Sequence, residues 1–193
     1  MKRSWFGLAA VGVVILVLVL VFGSYISAKN TLVAKNESVD QSYAQVDIEQ
    51  QRRLDLIPNL VASVKGYVAE EQTVLTNIAN ARAGVMAATD RASSIKANSN
   101  LDLALSPLLR LQEAYPNLKA NGQFTRLTDE LAGTENRIAV QRGRYNNTLR
   151  DYNVYVQQFP NSIWAGMAGF HYRNEYFKGD ANNGVAPKVD FSR

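Results

Sequence analysis

From Ser4 to Ala28 the chain runs for 25 residues without one charged side chain, between Lys2 and Arg3 on one side and Lys29 on the other. A helix needs about 20 apolar residues to cross a bilayer core of roughly 30 Å, and Trp5 to Ile26 supplies them. In lipid the backbone polar groups of such a segment are satisfied only within the segment, so a spanning helix is the expected form. A cleaved secretory signal has an apolar segment of about 7–15 residues and a small-x-small cleavage site. Here the run is longer, and the nearest such triplet, Ile26-Ser27-Ala28, carries a bulky residue where a small one is wanted. The chain has no cysteine, which excludes a lipoprotein anchor. Residues 1–28 therefore read as an uncleaved single-pass transmembrane anchor, with Trp5 and Tyr25 near its two interfaces.

Basic residues on the two flanks favour a cytoplasmic N-terminus by a narrow margin: Lys2, Arg3 and the terminal amine against Lys29 and Lys35. The anchor leaves about 165 residues, enough for one domain with its own core.

Beyond the anchor, Leu32, Val39 and Val46 recur at sevens with Tyr43 beside them, a helix face that continues the membrane helix outward. Arg53 falls in the same column, and Gln50 in the column of Tyr43 and Ile57, so the seam turns polar just before Pro58. Arg52 and Arg53 can either snorkel or be partnered inside the seam. Asp55 and Pro58 read as a helix stop or kink, with a second helix from Ile57 to about Ala88. Its apolar face runs Val61, Val64, Val68, Leu75, Ile78, Val85, with Glu71 and Arg82 in two of the slots. Glu71 is thus either partnered by an arginine or at the edge of the stripe. Residues 89–100 are small and polar and read as a loop.

A shorter helix follows through Leu101, Leu105 and Leu108, or starts at Ser106-Pro107, and ends before Tyr115-Pro116. Phe124, Leu131, Ile138, Tyr145, Tyr152 and Phe159 are then spaced by seven, predicting one long helix that ends at Pro160 and packs with a left-handed supercoil tendency. Tyr145 and Tyr152 at seam positions suggest phenol groups reaching polar partners such as the seam arginine or glutamate. Ser162–Phe170 is apolar nearly all round but too short to span a membrane, so it packs over the bundle or dips into a membrane or partner surface. Trp164, Met167 and Phe170 are its candidate contact residues. Residues 178–193 lack periodicity and read as an extended or disordered tail. The expected fold is all-α: an N-terminal transmembrane helix (1–28) continuing into an elongated antiparallel helical bundle (29–177) with long heptad-patterned helices.

The pattern offers little chemistry. His171 is the sole histidine, no Glu-x-x-His pair occurs, and Gly166-x-x-Gly169 lacks the strand and lysine of a phosphate loop. No metal site, cofactor or catalytic set is expected. Arg126, Arg137, Arg142, Arg144 and Arg150 are interleaved with Glu130, Glu135 and Asp151, and with a net charge of +4 this argues against nucleic-acid binding.

The stretch VDQSYAQVDIEQQRRLDLIPNLVASVKGYVAEEQTVLTNIANAR, then EAYPNLKAN, ENRIAVQRGRYNNTLRDYN, QFPNSIWAGMAGF and the terminal PKVDF resemble the LemA family of bacterial membrane proteins. Tyr43 stands where family members often carry tryptophan, and Glu70 where histidine is frequent, which argues against a histidine-dependent role there. The resemblance implies one N-terminal membrane helix and a helical bundle in the bacterial inner membrane, and no established catalytic residues. It places the short N-terminus outside, opposite to the charge count, so the side is left open. The expected function is a non-enzymatic structural or interaction protein of the cell envelope, self-assembling through helical faces into a homo-oligomer. The alternative is an adaptor presenting substrates to a membrane protease or other envelope enzyme.

Overall fold

The apolar run begins a helix that does not stop at the membrane boundary: α1 extends from Lys2 to Val64. The computed structural model describes residues 2–66 and 71–178, and among them every regular element is a helix. After α1 come α2 (Gln72–Met86), α3 (Arg91–Ala114), the single turn α4 (Pro116–Lys119), α5 (Gly122–Gln157) and α6 (Asn161–Met167). The tail expected from residue 178 lies outside the described residues apart from Lys178.

Three boundaries differ from the sequence reading. Pro58 lies inside α1, and the break comes instead between Val64 and Gln72. A proline has no N–H for the carbonyl four residues earlier. That carbonyl belongs to Leu54, and it accepts a hydrogen bond from Arg82 Nε at 3.2 Å. The orphaned acceptor is satisfied from another helix, so α1 runs on.

Residues 89–100, expected to be a loop, are mostly helix, because Asp90 and Ser93 form a reciprocal cap. The Ser93 N–H donates to Asp90 Oδ1 at 2.9 Å and the Asp90 N–H to Ser93 Oγ at 3.3 Å. This satisfies donors that a helix start otherwise leaves bare. Pro107 likewise sits inside α3, where the carbonyl it deprives belongs to the exposed Leu103. The expected end before Pro116 does occur, with Pro116 opening α4.

The chain divides into two units, one comprising described residues 2–43 and 147–174, the other 44–66, 71–146 and 175–178. In the second unit α2 and α3 pack as a hairpin. Leu54, Ile57, Leu60 and Val64 of α1, Leu75 and Ile78 of α2, Leu101, Leu105 and Leu108 of α3, Leu118, Phe124 and Leu131 form one core. Each buried aliphatic side chain contributes about 1.5–3 kcal/mol. In the first unit Ala28, Leu32 and Val39 of α1, Leu149, Tyr152 and Val156 of α5 and Ala165 of α6 are buried.

The heptad of α5 holds from Phe124 to Tyr152, every member at most 2% exposed. It fails at Phe159, which is 77% exposed because α5 ends at Gln157, ahead of it. Asn121 caps the start of α5, its Oδ1 accepting from the N–H groups of Gln123 and Phe124.

Candidate functional site

The polar seam of the second unit is built around Arg53, which α1 presents one heptad after Val46 and which is completely buried. Its Nη1 donates to Asp102 of α3 and, at 2.8 Å, to Glu135 Oε1 of α5; its Nη2 donates to Asn98 Oδ1 at 2.7 Å. Asp102 is shared with Arg142 of α5, 3.3 Å away. Beside this cluster Glu49 accepts from Arg137 Nε at 2.9 Å. Arg53 meeting Glu135 while Glu49 meets Arg137 is the crossed order of antiparallel helices.

The cluster binds three helices with two arginines and two carboxylates, so its formal charges cancel. A planar guanidinium satisfies several acceptors at once in a way an ammonium does not. The side chain of Asn98 is itself held by its Nδ2, which donates to the Ser94 carbonyl at 2.9 Å.

Of the other seam residues, Gln50 is 2% exposed and its amide has no hydrogen-bond partner among the described residues. Tyr145 is fully buried, its ring edge-on to Phe177 at 5.4 Å and under the Arg91 guanidinium at 5.9 Å. Glu71 stands apart: it precedes α2, half-buried, and its backbone carbonyl accepts from the N–H groups of Val74 and Leu75. Arg52 is exposed. Glu70 lies outside the described residues. The partners Asn98, Asp102 and Glu135 were not singled out from sequence. For two of them the missed signal is spacing: 98 and 102 are four apart, on one helical face; nothing of the kind marks Glu135.

Phe177 is tied to α5 by Asn146, whose Nδ2 donates to the Phe177 carbonyl at 2.8 Å while its Oδ1 accepts the Phe177 N–H at 3.0 Å. In the first unit Asn153, one heptad further along, makes the same pair of bonds with the backbone of Arg173. The Arg173 guanidinium reaches Asn36 and Asp40 of α1 at 3.1 and 3.0 Å. Tyr152 does not reach the seam arginine or glutamate expected of it; its hydroxyl donates to the His171 carbonyl at 3.0 Å. Burial raises the Tyr152 phenol above its ordinary pKa, outweighing the nearby Arg173 charge.

Also in the first unit, Trp164 of α6 lies edge-on to Tyr25 of α1, ring centroids 5.8 Å apart at 70°. Ile15, Leu18, Val19 and Phe22 continue this surface into an open apolar groove with Trp164 and Met167. Met167 is 70% exposed, and Phe170 is half-buried. Among the described residues no group of three or more histidine or acidic side chains is placed to hold a metal ion.

The chain matches the LemA family over residues 42–191. It is 24% identical to Magnetosome protein MamQ 2 of Paramagnetospirillum magneticum, over 77% of this chain and 64% of the relative. It is 23% identical to Protein LemA of Metamycoplasma hominis, over 72% of this chain and 61% of the relative. A shorter stretch, 38% of this chain and 27% of the relative, is 32% identical to Magnetosome protein MamQ of Magnetospirillum gryphiswaldense. The chain thus spans less than two thirds of the length of these relatives. None of these names is that of an enzyme. One helix among the described residues is long and apolar enough to cross a membrane, which fits a single-pass membrane protein.

Proposed function

We propose that this chain, which belongs to the LemA family, is a non-enzymatic, membrane-anchored structural or interaction protein of the bacterial cell envelope that assembles with copies of itself through its outward helix faces. The observation that carries this reading is the closure of the Arg53 cluster. The fully buried Arg53 is spent on Asp102, Glu135 and Asn98, and Asp102 also on Arg142, whereas a catalytic set presents an acid, base or nucleophile to a cavity. A closed polar cluster in a seam serves register and partner choice between helices.

The seam positions of α5 are used inside the chain, so assembly falls to its outer residues. In the second unit Ile48, Leu103 and Val140 are 59%, 67% and 54% exposed. Full-length protein in mild detergent is expected to run as a large, uniform species, and Val140→Glu with Ile48→Glu to reduce it to a monomer. A wild-type monomer that also yields no crosslinked copy in membranes refutes self-assembly.

The adaptor is a second reading, in which α6 contacts a membrane protease or other envelope protein. It draws on the exposure of Met167 beside Trp164. It predicts that Trp164→Ala abolishes recovery of that partner while helicity is retained.

A further inference from the structure

The groove between α1 and α6 is formed by residues of the membrane span itself. Tyr25 lies three residues before the end of the uncharged run, and Ile15 ten residues before Tyr25. At 1.5 Å per residue that is about 15 Å, half the depth of a roughly 30 Å hydrocarbon core. A side chain touching Tyr25 and sharing a groove with Ile15, Leu18 and Phe22 therefore sits at the level of one leaflet. Trp164 does both, and Met167 shares the groove.

The outer side of this segment suits the same place. Phe159–Phe170 contains no charged residue, and Phe159, Ile163 and Met167 are 77%, 51% and 70% exposed. Neighbouring apolar side chains left in water cost about 25 cal/mol per Å², a cost that acyl chains remove. The backbone is prepared for low dielectric as well. Pro160 brings no N–H, and the N–H groups of Ser162 and Ile163 donate to the Gln158 and Pro160 carbonyls. At the other end Gly169, at φ 79°, lets the Phe170 N–H return to the Ala165 carbonyl at 2.9 Å. These bonds satisfy internally several of the backbone groups that lipid would leave bare, while the buried indole Nε1 of Trp164 has no hydrogen-bond partner among the described residues. Lys29, one turn beyond Tyr25, is exposed at the level where headgroups begin.

We propose that α6, with Phe159, is a second membrane element: it lies in the interface of the leaflet from which α1 emerges, and lipid fills the groove beside Trp164. The occupant is lipid because the groove floor is the span, which a bilayer already surrounds. The adaptor reading then loses its surface.

The absence of cysteine makes a single introduced cysteine unique. Full-length Ile163→Cys, Met167→Cys and, as an aqueous reference, Asn80→Cys on the exposed side of α2 would each carry a nitroxide label in vesicles of phosphatidylcholine and phosphatidylglycerol. Oxygen, which partitions into hydrocarbon, is expected to relax the labels at 163 and 167 several-fold more, relative to a water-soluble nickel chelate, than the label at 80. Ratios equal to that at 80 overturn the proposal. Protection from both reagents also overturns it, since a protein surface then covers α6. Trp5→Phe leaves Trp164 as the sole tryptophan, so a second readout needs no label: brominated acyl chains are expected to quench its emission strongly and aqueous acrylamide weakly. The reverse order overturns the proposal.

Discussion

Replacing Arg53 by methionine tests whether the polar cluster holds the second unit together. The substitution keeps most of the volume and removes three hydrogen bonds, two to carboxylates and one to Asn98. Breaking a fully buried ion pair costs about 3–5 kcal/mol, chiefly through the charge left behind. Here the abandoned charges are only partly buried: the side chains of Asp102 and Glu135 are 25% and 38% exposed, and Asp102 keeps Arg142. Their share is correspondingly reduced. The fully buried Asn98 Oδ1, by contrast, loses its arginine partner, at about 1–3 kcal/mol. The expected total is about 2–4 kcal/mol.

With a urea slope of about 2 kcal/mol per molar, the unfolding midpoint followed by circular dichroism in mild detergent should fall by roughly 1–2 M. Arg53→Lys should cost less than methionine yet still lose at least one of the three bonds, since a point charge cannot reproduce the fork. The double change Arg53→Met with Asn98→Leu should recover about 1 kcal/mol or more of the loss, because the buried acceptor that the single change abandons is then gone. An Arg53→Met protein within about 0.5 kcal/mol of wild type, or a double variant no more stable than the single one, refutes the reasoning.

Arg82→Ala should cost about 1 kcal/mol by baring the Leu54 carbonyl, and much less in a Pro58→Ala background, where a backbone N–H can take over; a double-mutant cycle without coupling would sink that account. The Ser93 N–H, then its hydroxyl, hold the Asp90 carboxyl below its ordinary 3.8, so its contribution to capping α3 is present above that value and is lost as pH falls through the lower folded value; Asp90→Ala should remove this acid sensitivity in a helicity titration. Burial raises the Tyr152 phenol above 10.0, so its contribution is full below pH 10 and declines as pH rises past it; Tyr152→Phe should flatten that alkaline limb while costing about 0.5–1.5 kcal/mol at neutral pH. Leu131→Ala should destabilise by about 2–5 kcal/mol in denaturant unfolding, whereas the exposed Phe159→Ala should change stability by less than about 0.5 kcal/mol, because only the first leaves a cavity.

The heptads were readable because burial repeats with the helix: Leu32, Val39 and Val46 on α1 and Phe124 through Tyr152 on α5 are buried at every step. Local rules failed where a distant group changed their outcome. Pro58 is a helix breaker by its own chemistry, and only Arg82, 24 residues on, makes the break unnecessary. Asn98 made its surroundings look like a loop, since a polar residue amid serines carries no apolar period. Yet it is fully buried, because Arg53 needs a neutral acceptor there.

The same logic separates the two features singled out from sequence. A polar residue inside a seam is costly unless its partner is present, so Arg53 called for partners, of which only the four-residue spacing of Asn98 and Asp102 gave a sign. Apolar residues outside a core carry the opposite information. Phe159 departs from its heptad because α5 has ended, and it stands exposed just ahead of Ile163 and Met167, which are exposed in turn, with Trp164 against the membrane helix. One exposed aromatic is ordinary in water, but three neighbouring exposed apolar side chains are costly there. Beside a transmembrane segment they are the composition expected of a surface whose solvent is lipid.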